Sequence, residues 1–117
     1  MKPKDQGAID CAMPLFVYGT LLDPACRNRV LGHSVRTRRA SLNGFRVVRG
    51  RHVYIVPEPD ASIDGLLLLD LEAADFAALD RYEEVPRLYT RETVEVVASI
   101  ERLRCWVYMP TRALLKA

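Results

Sequence analysis

Two stretches of this chain carry residue types that could do chemistry together. The first is Phe16-Val17-Tyr18-Gly19-Thr20-Leu21-Leu22-Asp23-Pro24, an apolar run that breaks at a glycine. A glycine at a strand end lets successive backbone N–H groups converge on one point, and such nests hold carboxylates without a cationic side chain. The amides of Tyr18, Gly19, Thr20 and Leu21 are the candidate donors, with the Thr20 hydroxyl as a further one. An ordinary β-turn is the competing reading. The second stretch is Leu79-Asp80-Arg81-Tyr82-Glu83-Glu84, read as the end of an amphipathic helix. On a helical wheel Glu83 falls between Phe76 and Leu79 on the apolar stripe, and Glu84 falls to one flank. A carboxyl on the core-facing side is partly desolvated, which raises its pKa and suits it to proton transfer near neutral pH. The competing readings are a structural Glu83 paired with an arginine such as Arg91, and the frayed end of a helix.

Other chemistries have less support. There is no G-x-S-x-G around a serine, and no G-x-G-x-x-G or P-loop that would indicate a nucleotide cofactor. Cys26 or Cys105 beside His33 or His52 has no supporting local pattern, and a small buried hydrophobe is the better reading of a free cysteine. His33 follows Gly32 and reads as a surface loop residue, while His52 lies in an arginine-rich strand that could face a barrel mouth. Trp106 and Tyr108 alternate with Cys105 and Val107, so one set faces inward. Core packing is the plain reading of either set, and Tyr108 could also bring its hydroxyl into a pocket.

These residues need elements to hold them. Leu15–Tyr18 is short, apolar and β-prone. Asp23-Pro24 suits a helix start, with Asp as N-cap and Pro in the first helical position. Ala25–Leu31 would be that helix and Gly32 its stop. Val35–Leu42 and Phe45–Arg49 flank Asn43-Gly44, a strong hairpin signal. Val53–Val56 is a further short strand, ended by Pro57 and Pro59. The four leucines Leu66–Leu69 have no helical period and suggest a strand buried on both faces. Glu72–Glu83 is rich in good helix formers and is the best helix candidate. Tyr89–Ala98 and Leu103–Met109 alternate as strands do, and Pro110 ends the last one before a short tail. Many short strands with turn signals favour a closed or nearly closed barrel. The expected fold class is therefore α+β: a small mixed β-barrel of six to seven strands with one main flanking helix.

Size and composition bound the rest. The 117 residues fit one domain, and half of them are hydrophobic, enough for a modest core. Residues 1–13 read as a flexible N-terminal tail and 14–117 as the single domain, with Met13 as an alternative start. The charged N-terminus is not followed by an apolar stretch of the secretory kind. No apolar run approaches the roughly 18 to 20 residues of a membrane span. Cys11, Cys26 and Cys105 are an odd number at wide spacing without C-x-x-C, which argues against a disulfide framework or a metal site. A reducing cytoplasm is the default location. The net charge of +2 hides an asymmetry: Pro24–Tyr54 holds eight arginines and no acid, whereas Pro57–Glu101 holds twelve acids and three arginines. Either the two halves face each other or the arginines coat outer strand faces. An anion-attracting face or a nucleic-acid patch are the functional alternatives, and no aromatic interleaving supports nucleic acid.

Phe16-Val17-Tyr18-Gly19-Thr20-Leu21, then Gly65-Leu66-Leu67, then Leu79-Asp80-Arg81-Tyr82-Glu83, then Tyr89-x-Arg91 resemble the gamma-glutamylcyclotransferase-like family. That family includes the AIG2-like proteins and gamma-glutamylamine cyclotransferase. The resemblance runs from about Leu15 to Tyr108. It implies a small barrel flanked by helices with a cavity at one end. It further implies that the backbone of Tyr18, Gly19, Thr20 and Leu21 binds the α-carboxylate of a γ-glutamyl group and that Glu83 is the catalytic acid–base. The implied reaction closes 5-oxoproline and releases an amine, with no cofactor and no metal. This chain departs from the family pattern in having Glu84 where many members have glycine, and His52-Val53 where many have Tyr-Pro.

The expected function is thus a γ-glutamyl cyclotransferase acting on a small γ-glutamyl amine or peptide, as a monomer or weak homodimer, without nucleic-acid or membrane partners. A non-catalytic small-molecule binding module on the same fold is the alternative. A basic nucleic-acid or partner-binding face built on Arg36, Arg38, Arg39, Arg46, Arg49 and Arg51 is the third reading.

Overall fold

The computed structural model describes residues 13–116; apart from Met13, the tail expected over residues 1–13 lies outside the described residues. Five strands close a barrel in the order β1-β3-β2-β4-β5: β1 is Leu15–Val17, β2 Thr37–Arg49, β3 Val53–Leu68, β4 Tyr89–Ala98 and β5 Glu101–Pro110. The short β1 closes the ring, antiparallel to β3 and parallel to β5. Three helices accompany the barrel: α1 (Pro24–Leu31), α2 (Ala73–Tyr82) and α3 (Arg112–Lys116), with a 3-10 turn at Thr20–Leu22. Among the described residues no helix is long and apolar enough to cross a membrane.

The count of six to seven strands is corrected to five, because two pairs of expected strands are each one continuous strand. Asn43-Gly44 does not reverse the chain. Gly44 takes a left-handed φ of 88° inside β2, and the register jumps there from Asn43 opposite Ser62 to Phe45 opposite Pro57. The unmatched residues of β3 bulge outward, and Pro57 and Pro59 lie at this exposed irregularity, where a missing N–H breaks little pairing. The reversal comes instead at Gly50-Arg51-His52, where the Gly50 N–H donates to the His52 carbonyl at 3.2 Å. The main flanking helix expected over Glu72–Glu83 forms as α2 and the one expected over Ala25–Leu31 forms as α1, while the short tail expected after Pro110 is in fact the helix α3. Asp23 caps α1 by accepting from the Ala25 amide, and Gly32 ends it at φ 82°, as Asp-Pro and glycine suggested. In α3 the Thr111 hydroxyl accepts from the Leu114 amide, and Leu114 is buried.

Two cores result. Inside the barrel lie Phe16, Leu42, Ile55, Leu67, Val96, Cys105 and Val107. Between the barrel wall and the helices lie Leu15, Val17, Leu21, Leu68, Phe76, Leu79 and Tyr108. Leu67 and Leu68 are both fully buried, one in each core, which accounts for the uninterrupted leucines. Alternation in β5 divides the same way, with Cys105 and Val107 inward and Tyr108 on the helix side. Gly65 lies next to the β1–β3 pairing, where β1 packs tightly against the backbone of β3. A Cβ there would lie 2.4 Å from the Val17 carbonyl oxygen and 2.7 Å from the Phe16 ring, far inside van der Waals contact. Glycine at this position lets β1, and hence the turn that follows it, sit against the barrel.

Candidate active site

Glu83 is placed by the way α2 ends. Asp75 reaches back to the Glu72 amide at 2.9 Å and fixes the helix start. Phe76 and Leu79 bury the inner stripe. At the other end Glu83 is the C-cap, and Glu84 adopts φ 57°. The Glu84 amide donates to the Arg81 carbonyl and the Val85 amide to the Asp80 carbonyl. This paired arrangement is the Schellman motif, whose left-handed position is usually glycine. Glu84 therefore occupies a glycine site for backbone reasons. Its side chain is exposed and paired with Arg87. Glu83 is the half-buried one, and burial pushes its carboxyl from the usual 4.5 up to about 7. Arg91 is not its partner: it donates to Asp80 at 2.9 and 3.3 Å, with its guanidinium stacked 4.6 Å from the Phe76 ring and 4.8 Å from that of Trp106.

The loop after β1 faces this carboxyl. The 3-10 turn is closed by Leu22 N–H to Gly19 C=O and Asp23 N–H to Thr20 C=O, so the Thr20 and Leu21 amides have no acceptor within the turn. A Cβ on Gly19 would meet only Val53, at 3.4 Å, so the glycine leaves that side of the turn open. The Tyr18 hydroxyl donates to the Tyr108 carbonyl at 2.8 Å, and burial raises its pKa. Thr20 Oγ1 and the Tyr82 hydroxyl are 2.6 Å apart. Behind the turn, Arg27 is buried and donates to the carbonyls of Leu21 and Leu22 at 3.1 and 3.3 Å. Its Nε has no partner, and no carboxylate pairs with it among the described residues.

Between loop and helix lies a cavity of about 300 Å³, and every candidate residue borders it: Tyr18, Gly19, Thr20, Leu21, Glu83 and Tyr108. Tyr89, Arg51 and His52 are among the further residues that line it. The Tyr89 hydroxyl donates to the Val53 carbonyl at 2.6 Å, and burial pushes its pKa up to about 12. Its ring meets Tyr108 edge-on. The Tyr108 hydroxyl, free to enter a pocket on the sequence reading, is donated to Asp80 at 2.7 Å, so this residue offers the cavity its ring. The enclosure is aromatic on one side, polar at the loop and acidic at Glu83.

Other candidates lie elsewhere. The His33 imidazole hydrogen-bonds Asp75 at 2.7 Å, which raises its pKa. Burial pushes the Cys105 thiol up to about 12, and Cys26 touches Tyr82 at 3.5 Å, not a histidine. Among the described residues no cluster of histidine, cysteine and carboxylates could hold a metal ion. Arg36, Arg38 and Arg46 pair with Asp70, Glu101 and Glu58, so part of the charge asymmetry is matched within the barrel. Arg27, Asp80, Tyr82, Tyr89 and Arg51 shape the site but were not singled out from the sequence as site residues. Asp80, Tyr82 and Tyr89 stand inside the stretches that carry the resemblance, Arg27 is one of the eight arginines of Pro24–Tyr54, and Arg51 enters the sequence reading only as part of the possible basic face.

The family whose sequence profile matches residues 15–116 is described as "Gamma-glutamyl cyclotransferase, AIG2-like". Protein AIG2 A of Arabidopsis thaliana is 36% identical over 86 residues, which are 71% of this chain and 49% of that protein. The chain spans about half the length of the AIG2 A and AIG2 B proteins it matches. A solution structure of an Arabidopsis thaliana protein superposes with a TM-score of 0.75 at 28% identity, over 86% of this chain and 70% of that one. A structure titled "Gamma-glutamyl cyclotransferase" superposes with a TM-score of 0.74 over 85% of this chain and 66% of that one, at 18% identity, a likeness of fold alone.

Proposed function

The chain belongs to the gamma-glutamyl cyclotransferase, AIG2-like family, and we propose that it cyclises the γ-glutamyl group of a small γ-glutamyl amine or peptide to 5-oxoproline. The observation that carries this reading is Glu83: a half-buried carboxyl with a pKa near 7, on the same cavity as the Tyr18–Leu21 turn. The turn amides and the Thr20 hydroxyl take the substrate's α-carboxylate. Glu83, as carboxylate, accepts a proton from the α-ammonium. The freed amine attacks the γ-carbonyl carbon, a C–N bond forms, and a five-membered lactam closes. Glu83 hands that proton to the departing nitrogen as the original amide bond breaks, and the surplus proton on the ring nitrogen leaves through the same carboxylate with the released amine, which departs as its ammonium. The nucleophile belongs to the substrate, so the attack costs little translational entropy. A carboxyl poised near pH 7 serves as both base and acid. Tyr89 and Tyr108 supply the aromatic wall for the methylenes of the glutamyl chain.

Release of 5-oxoproline from a panel of γ-glutamyl amino acids, γ-glutamyl amines and glutathione tests this, with Glu83→Gln run beside the wild type. Turnover that falls by about a hundredfold or more in Glu83→Gln is expected. Ligand binding without turnover by the wild-type protein would replace this reading with the binding module.

A further inference from the structure

The charges at the cavity mouth are unequal. The buried lining residues, Tyr18, Leu21, Tyr89 and Tyr108 among them, form the floor, and the exposed ones, Thr20, Arg51, Tyr82 and Glu84, form the rim. Two of these rim residues are charged. Glu84 is neutralised by Arg87, whereas Arg51 has no ion-pair partner among the described residues. Arg51 stands at the tip of the β2–β3 reversal, whose Gly50–His52 hydrogen bond holds it against the cavity. It closes a segment, Pro24–Tyr54, that contains no acid at all. Inside, Glu83 and the turn are reserved for the glutamyl head under the reading above, so the departing group must extend toward the rim.

We propose that Arg51 sets leaving-group specificity, selecting γ-glutamyl compounds whose departing amine carries a carboxylate over those whose departing amine is neutral or cationic. This rests on the cyclotransferase reading. A guanidinium at a pocket rim offers a carboxylate two parallel N–H donors, and its field raises the encounter rate of anionic substrates. A cationic leaving group would meet it with like charge.

A matched pair isolates the effect: γ-glutamyl-alanine and γ-glutamyl-alaninamide differ only by carboxylate against amide. Steady-state 5-oxoproline release is measured with wild type, Arg51→Ala and Arg51→Glu. Wild type is expected to favour the acid by about tenfold in kcat/KM, mostly through KM, with the preference shrinking as salt is raised. Arg51→Ala brings the ratio near one and Arg51→Glu inverts it. Equal use of acid and amide by the wild type, or a preference that survives in Arg51→Ala, overturns the role of Arg51 and leaves the cyclotransferase standing. Turnover of neither compound, nor of any in the wider panel, overturns both.

Discussion

Thr20 Oγ1 and the Tyr82 hydroxyl lie 2.6 Å apart, although 62 residues separate them in the chain. The bond ties the turn after β1 to the last residue of α2, immediately before Glu83. It fixes the turn backbone relative to Glu83, the two parts assigned to carboxylate binding and proton transfer under the proposed reaction. Tyr82→Phe removes the hydroxyl and keeps the ring. One neutral hydrogen bond at a partly exposed site contributes about 0.5–1.5 kcal/mol. The expected outcome is KM raised roughly threefold to tenfold, with a thermal midpoint lowered by roughly 2–7 °C. A variant with unchanged KM would show that the tie is incidental.

The Glu83 carboxyl predicts a pH dependence in two observables. As the proposed base it must be ionised, so kcat/KM is expected to rise with pH through about 7. Stability moves the other way. The folded-state pKa is above the unfolded value of 4.5, so the folded protein holds this proton more tightly. The associated stability is complete below pH 4.5 and is lost as pH rises through 7. Its size is at most about 3 kcal/mol, reduced by the carboxyl's remaining exposure. Glu83→Gln, which has no charge to desolvate, should therefore melt about 5 °C above wild type at pH 8 and together with it near pH 4.5. Parallel melting curves at both pH values would contradict the desolvated carboxyl.

Glu84 offers a test in which two small effects oppose. A non-glycine residue at φ 57° costs about 1 kcal/mol. The exposed pair with Arg87 contributes under about 0.5 kcal/mol. Relief of backbone strain wins, so Glu84→Gly is expected to raise the thermal midpoint by about 2 °C while kcat stays within twofold. Glu84→Val, with a β-branched side chain in the left-handed region, is expected to lower it. Thermal denaturation of the three proteins checks the order Gly, Glu, Val.

How much of this was legible in the chain follows from where each determinant sits. The turn at Gly19, the α1 caps at Asp23 and Gly32, the burial of Leu67 and Leu68, and the inward side of Glu83 are local or periodic, and residue order carries them. The fusion of two strands at Asn43-Gly44 is not local. The same dipeptide serves a hairpin or a bulge, and the choice depends on whether β3 continues opposite, which it does from Val53 to Leu68. The prolines of β3 look like strand terminators until the partner register places them at an outward bulge. Arg27 and Arg91 are arginines among many in the sequence. Only the fold gives one the carbonyls of Leu21 and Leu22 and the other the carboxylate of Asp80.

Asp80 accounts for why Glu83 has no ion-pair partner among the described residues. It lies one helical turn before Glu83 and takes both the Arg91 guanidinium, at 2.9 and 3.3 Å, and the Tyr108 hydroxyl, at 2.7 Å. Arg91 is further held between the Phe76 and Trp106 rings, so its position is fixed from three sides. Asp80→Asn keeps the shape and one acceptor oxygen but leaves the arginine's charge uncancelled beside the cavity. The charge-assisted bonds contribute about 1.5–3 kcal/mol where buried. With the two side chains about a quarter exposed, 25% and 28%, the lower end applies, and a loss of about 1–2 kcal/mol is expected. In Arg91→Met the same pair is broken from the other side, so the double variant should cost less than the two single losses together. Activity separates this from a purely structural effect. An uncancelled positive charge favours the ionised form of Glu83, so the acidic limb of kcat/KM in Asp80→Asn is expected to shift to lower pH. The Arg91→Met variant, which removes the cation, should shift it upward or leave it in place. Movement of both limbs in the same direction would mean that Asp80 does not insulate Glu83 from Arg91.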